Sequence, residues 1–448
     1  MRTVFSLAAA VAAFAGSAAR AQCGVPGADA TIGRINGSNY YAPHAWSVGF
    51  DVSNLGNAVQ SIMFATNDHP YVAANLYRLK TVDGSSRFEQ IGMSWGFHLY
   101  FGLESGGVCT CSSVGNGNIG PGCSDPETAS SAGNRDVLGP RFEVNAWTGQ
   151  FPFPFASPAF GTDSRARRLQ AAADDVNPAN NAGALYFVED HVISADDSLA
   201  ANQHNNASYR RCAFPTGTNL TLMESTVRAQ PAIRAWKLSD AAVVESDILV
   251  PGEGLFVVAA KATDLGNGTW HYEYAVYNHN SHRSARAFTL PLPAGVTVTN
   301  IGFHDVDYHS GDGLNSVNVD GADWTAVLSA DGIEWSTQTF AANENANALR
   351  WGTLYNFRFD ADVAPADGQA ELGLYRPGAP EAVLTGLIPI PGAGCAPDFD
   401  GDGFITGADF DLYVQAFEAG ETTADFDHDG FITGADYDLY VQAYEAGC

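Results

Sequence analysis

Residues 398–420, DFDGDGFITGADFDLYVQAFEAG, recur almost unchanged as residues 425–447, DFDHDGFITGADYDLYVQAYEAG. In each copy carboxylates stand at positions 1, 3, 5 and 12 of an acidic loop and glycine stands at position 6, the arrangement by which a short chain wraps a hard cation with six to eight oxygen ligands. The side-chain ligands expected from this spacing are Asp398, Asp400, Asp402 and Asp409 in the first loop and Asp425, Asp427, Asp429 and Asp436 in the second. Phe404 and Phe431 would offer backbone carbonyls, and Thr406 and Thr433, at position 9, would act through a water. Gly403 and Gly430 permit the sharp turn that a side chain with a Cβ resists. Two calcium ions are therefore the expected cofactors.

After each loop, apolar residues fall at helical spacing: Phe410, Tyr413, Val414 and Phe417, then Tyr437, Tyr440, Val441 and Tyr444. No entering helix precedes either loop, so each repeat reads as a loop plus one exiting helix, and the two stripes must pack on each other. A unit this small has little core, which couples its folding to metal binding. Cys395 and Cys448 bracket it and are placed to close it as a disulfide.

These duplicated EF-hand-like loops, with Asp rather than Glu at position 12, resemble the dockerins, and the terminal Gly447-Cys448 is similar to a bacterial variant at the C-terminus of otherwise unrelated secreted proteins. The resemblance covers residues 395–448 only. It implies calcium-dependent attachment or sorting through a cohesin-like or other protein receptor.

The N-terminus sets the compartment. Met1-Arg2 is basic, Val4 to Ala15 is apolar, and Ala19-Arg20-Ala21 is a small-x-small cleavage site, so residues 1–21 read as a secretory signal peptide. The apolar run is too short to span a bilayer, and no later segment approaches the roughly 20 residues needed, so no transmembrane segment is expected. Seven cysteines in a secreted chain suggest disulfides with one left over. Cys109, Cys111 and Cys123 are expected to pin a Gly/Ser-rich loop, with Cys23 and Cys212 as the other candidates. The formal charge is −28, with 50 acidic against 22 basic residues, which excludes a nucleic-acid partner and disfavours anionic membranes.

The remaining chain is mainly β by composition, with an antiparallel β-sandwich expected over 232–375. Its clearest element is a hairpin from Leu255 to Asn278, turning at Asp264 to Gly268 and placing Trp270, Tyr272, Tyr274 and Val276 on one face. Further strands are expected at Ala285 to Leu292, Val296 to Asp305 and Trp351 to Asp360. Residues 22–231 read as a loop-rich, disulfide-containing β domain, with strands at Ala45 to Val52, Ser61 to Thr66, Phe88 to Gly96 and Leu185 to Val188 and a short helix near Arg165 to Ala173. Residues 376–394 read as a Pro/Gly linker to the C-terminal module at 395–448.

Chemistry in the body is weakly signalled. Gly92-Met93-Ser94-Trp95-Gly96 matches the nucleophile elbow, but no helix follows and no βαβ alternation surrounds it, so it reads as a turn. In His304-Asp305-Val306-Asp307-Tyr308-His309, strand alternation would put Asp305, Asp307 and His309 on one face. Glu189-Asp190-His191 follows an apolar strand. Both clusters read as polar strand ends rather than sites. Arg141, Arg165, Arg167, Arg168, Arg210 and Arg211, with Glu143, gather in a chain poor in bases, and are expected to pair with acids such as Asp174, Asp175 and Asp190.

The favoured reading is a secreted, calcium-binding, tail-anchored protein whose β body is structural or binding rather than catalytic. The alternative is a polysaccharide-directed hydrolase carrying the same tail. A polysaccharide is the ligand class considered for the body in either case.

Overall fold

A computed structural model describes residues 23–63, 65–115, 117–329, 332–392, 397, 399, 405–426 and 431–446. The body is built of antiparallel sheets in three layers. An 11-stranded first sheet carries most of residues 30–222. A five-stranded middle sheet contains Val244–Val250, Gly254–Asp264, Trp270–Asn278, Leu354–Ala361 and Val298–His304, in that spatial order. An outer five-stranded sheet follows, formed by Thr325–Leu328, Gly332–Ser336, Ala285–Pro291, Glu371–Leu374 and Ala382–Leu384.

The middle sheet is covered on both faces, and its sequence alternates between two different cores. Phe256, Val258, Ala260, Tyr272, Tyr274, Val276, Phe357 and Phe359 face the outer sheet, against Phe288, Leu290, Ile333, Trp335 and Leu372. The intervening Val257, Ala259, Ala275, Tyr277 and Leu354 face the first sheet, meeting Tyr77, Leu79, Phe88, Phe187 and Tyr209. The expected hairpin is present, with Asp264 opposite Trp270. Its two-sided burial explains why Leu255 to Ala260 carry no polar alternation.

The helix Arg234–Ser239, beside residue 231, buries Ala235 and Trp236 in this shared core. The same two-sidedness hid strands of the first sheet. Tyr71–Val82 is a 12-residue strand that pairs with Ser85–Phe97 and with Leu185–Ile193, yet its text, YVAANLYRLKTV, has no period of two.

Four local expectations are corrected. Of the described residues in Ser61 to Thr66, only Ser61 is in a strand, the two-residue Gln60–Ser61. Arg165 to Ala173 is not a helix: Leu169–Ala171 instead bridges strands Ala45–Asn54 and Ser85–Phe97 by pairing with both. The segment 376–394 is not a free linker over its described part. Ala382–Leu384 pairs with Glu371–Leu374, and Ile388–Pro391 pairs with Pro365–Gly368. Alternation drives the latter pairing, because Ile388 and Ile390 enter the core while Pro389 and Pro391 sit in a two-stranded ladder, which tolerates their missing N–H donors. Finally, residues 24–231 hold more strands than expected, most of them joined in one 11-stranded sheet, while long irregular stretches such as residues 144–168 do separate them.

Candidate functional site

The C-terminal repeats place helices at Gly407–Ala419 and Gly434–Ala446. Tyr413 and Tyr440, equivalent residues of the two copies, stack with ring centroids 3.7 Å and planes 4° apart. Each hydroxyl then donates to the residue preceding the other copy's loop: Tyr413 to the Ala424 carbonyl at 3.3 Å and Tyr440 to the Pro397 carbonyl at 3.1 Å. The repeats are thus related by a local twofold, and their shared core is small, with Tyr413, Ala416, Ala424 and Tyr440 at its centre.

The position-12 carboxylates are held identically. Asp409 accepts from the Phe399 N–H at 2.9 Å through one oxygen and from the Thr406 N–H at 2.8 Å through the other. Asp436 accepts from the Phe426 N–H at 2.9 Å and the Thr433 N–H at 2.7 Å. Both carboxylates are buried. The Thr406 and Thr433 hydroxyls donate to the same oxygens as their own N–H groups, at 3.1 and 3.2 Å. Residues 395–448 contain 13 acidic and no Lys or Arg residues. A divalent cation fits this donor set in charge and in oxygen chemistry. Of the other expected ligands, Thr406, Asp425, Phe431 and Thr433 are described, whereas Asp398, Asp400, Asp402, Phe404, Asp427 and Asp429 lie outside the described residues, as do Gly403, Gly430, Cys395, Cys448 and the segment 1–22.

In the body, Ser94 is interior to the strand Ser85–Phe97, where its hydroxyl accepts from the Ala74 N–H at 2.9 Å and donates to the Trp95 carbonyl at 2.7 Å. The two glycines of that motif are packing residues: a Cβ on Gly92 would lie 2.0 Å from the Gln170 carbonyl oxygen, and one on Gly96 would lie 1.9 Å from the Tyr71 ring. No nucleophile is presented.

Glu189, Asp190 and His191 are not a polar strand end. They are fully interior to Leu185–Ile193 and alternate between two cores. Glu189 ties the first sheet to the middle one, accepting from Asn75 Nδ2 at 2.9 Å, the Tyr77 hydroxyl at 3.0 Å, the Tyr277 hydroxyl at 3.1 Å and the Ala232 N–H at 2.6 Å. Burial pushes its carboxyl above the ordinary range, and these donors pull it partly back. His191 stacks on His279 with centroids 4.4 Å apart, and burial keeps both rings neutral, His279 at about 3.

The cluster at 304–309 does not form one face, because the strand Val298–His304 ends at its first residue. Asp305 accepts a hydrogen bond from Asn347 Nδ2, Asp307 is exposed, and His309 is buried with Nε2 donating to the Met93 carbonyl at 3.0 Å. Instead, His304, Asp305, Asp307 and the Tyr308 wall close one side of a cleft of about 470 Å³, whose other side is Gln170, Asp175 and Arg165. Burial raises the Asp305 carboxyl to about 6, reinforced by Asp323 and Asp307 nearby. This cleft, joining distant segments of the chain, was not legible in the sequence; only the polar text 304–309 hinted at it. Among the described residues, no three His, Cys, Asp or Glu side chains come together as a metal site.

The arginines mostly bind backbone rather than the acids expected. Arg141 donates to the carbonyls of Ser94, Gly352 and Ala74 at 2.7, 3.1 and 2.9 Å. Arg167 binds the Arg135 and Leu138 carbonyls and lies over the Trp95 ring, Arg168 binds those of Gly133 and Ser164, and Arg210 those of Met223 and Ile35. Arg165 pairs with Asp163 and Arg211 with Glu224, while Asp175 pairs with Arg78. A guanidinium offers five donors, and loops offer many carbonyls with no regular partner, so these arginines pin loops. Cys23 bonds Cys109 and Cys111 bonds Cys123, leaving Cys212 as a buried thiol.

No family model and no curated protein matches the chain. Among solved structures, it aligns with a serine-rich repeat adhesion glycoprotein from Streptococcus agalactiae at 8% identity and a TM-score of 0.19, over 79% of this chain and 97% of that one. The partial N-terminal region of an enterococcal surface protein aligns at 10% identity and a TM-score of 0.16, over 81% of this chain and 96% of that one. An exo-chitosanase from Amycolatopsis orientalis aligns at 9% identity and a TM-score of 0.15; this chain covers 26% of it. Scores this low establish neither fold nor function.

Proposed function

We propose that this is a secreted protein whose C-terminal repeats bind two calcium ions and, so folded, attach a β-rich binding or structural body to a protein receptor at the cell surface or in an extracellular assembly. The observation that carries the reading is the paired arrangement of Asp409 and Asp436, buried acceptors held alike in twofold-related repeats that contain no Lys or Arg. Two disulfides are the chemistry of an oxidising compartment, and among the described residues no helix is long and apolar enough to cross a membrane.

The test is calcium titration of the full chain by calorimetry, with the double variant Asp409→Ala/Asp436→Ala alongside. Two ions per chain for the parent and none for the variant is the expected result. Equal heats from both proteins would sink the reading.

A further inference from the structure

We infer that the cleft between Gln170, Asp175 and Arg165 on one wall and His304, Asp305 and Asp307 on the other is a binding site for a neutral oligosaccharide, whose hydroxyls these side chains hydrogen-bond. The inference deepens the reading of the body as a binding protein and is independent of the calcium loops.

The cleft measures about 470 Å³, within the roughly 300–1,000 Å³ range of ligand sites, and far exceeds the space needed by a bound water. Its walls come from residues 91–92 and 165–175 on one side and 304–308 on the other, so it is a junction between the first and middle sheets rather than a surface dimple. Unlike pockets for apolar ligands, it is lined mainly by polar side chains.

Several of those side chains are fixed before any ligand arrives. Asp175 is held by Arg78 at 3.1 Å, and Asp305 by Asn347. His304 donates Nε2–H to the Gln90 carbonyl at 3.1 Å, which fixes its ring against the wall. Gln170 sits in a strand paired on both sides. Such preorganisation lowers the ordering cost of binding.

The chemistry then selects the ligand. Three carboxylates accept hydrogen bonds from hydroxyls, and the Gln170 amide both donates and accepts. The one guanidinium in the lining, Arg165, is already paired with Asp163 at 3.2 Å, so phosphates, sulfates and uronic acids meet net repulsion. Asp305 protonates in mildly acid solution, which converts one acceptor into a donor without closing the cleft.

The experiment is calorimetric titration of the full chain, in calcium, with cellohexaose, xylohexaose, laminarihexaose and chitohexaose. Oligogalacturonate and glucosamine hexamers serve as the anionic and cationic controls. At least one neutral oligomer is expected to bind, with affinity little changed by salt and reduced about tenfold or more by Asp307→Ala, the effect of removing one charge-assisted hydrogen bond. Gln170→Ala should do the same. Because Asp307 is exposed, its variant tests the site without threatening the fold, and unchanged thermal unfolding checks this. Absence of binding by all four neutral oligomers, binding indifferent to both variants, or binding by the glucosamine hexamer alone with steep salt dependence would overturn the inference. None of these outcomes bears on calcium attachment.

Discussion

The body and the C-terminal repeats solve the same problem, removing apolar and charged groups from water, with opposite resources. In the body, Phe357 and Trp335 meet across one face of the middle sheet, and Tyr277 and Phe187 lie in the core on its other face. The carboxylate of buried Glu189 is answered by four donors already on the chain. In the repeats, one stacked tyrosine pair and a few partly buried rings make the core among the described residues, and Asp409 and Asp436 are buried in a segment with 13 acidic and no Lys or Arg residues. A large, two-sided sheet buries enough surface to fold unaided; on the proposed reading, a small acidic repeat draws on a bound cation.

The largest effect separating the two regions is expected from chelation. Removing calcium should abolish the helical circular dichroism of residues 407–446 and leave the main calorimetric unfolding transition of the body in place; a body transition that collapses with the tail would erase the distinction. Next in size, Trp335→Ala should destabilise the body by about 3–5 kcal/mol in denaturant titrations while calcium stoichiometry stays the same. Glu189→Gln keeps the volume but sets an amide N–H₂ against the donors that now converge on the carboxylate, and should cost about 1–3 kcal/mol, read as a lower denaturation midpoint with unchanged m-value.

The smallest effect is a pair of opposed pH slopes. In the body, burial raises Glu127 and Asp312 to about 7 and Asp197 to about 8, so the folded state holds protons that the unfolded chain releases near the ordinary carboxylate range. The stability these groups contribute is complete below that range and is lost as pH rises through 7 to 8. The lowered histidines, His69 at about 4 and His98 at about 3, act in the other direction, but only below the ordinary histidine value near 6.5. Between pH 6.5 and 8.5 the body's unfolding temperature should therefore fall, and Asp197→Asn should flatten the slope. Calcium affinity of the repeats should hold or rise over the same interval and fail in acid, because its ligands must be ionised. Parallel slopes for both regions would show that the raised carboxyls do not control the body.

The sheets show why some of this was readable and some was not. The hairpin at 254–278 was legible because its turn, Asp264 to Gly268, and its aromatic alternation are local signals. Tyr71–Val82 was not, because a strand buried on both faces loses the period of two that marks a half-exposed one. Ile388–Pro391 looked like a linker because proline usually marks one, and only its edge position in a two-stranded ladder makes it a strand. Likewise Glu189 read as part of a polar strand end, since nothing in the sequence says that Tyr77, Tyr277 and Asn75 converge on it.

For this protein, then, the sequence by itself determined the acidic repeats, their helical stripes, the β-rich body and the surplus cysteine, because each depends on spacing within about thirty residues or on composition. Tertiary structure alone decided that the body's sheets stack in three layers, that Arg141, Arg167, Arg168 and Arg210 bind carbonyls instead of acids, and that residues 165–175 and 304–308 face each other across a cleft. Those outcomes depend on which distant surfaces bury one another, and burial across a hundred residues of separation leaves no period in the chain.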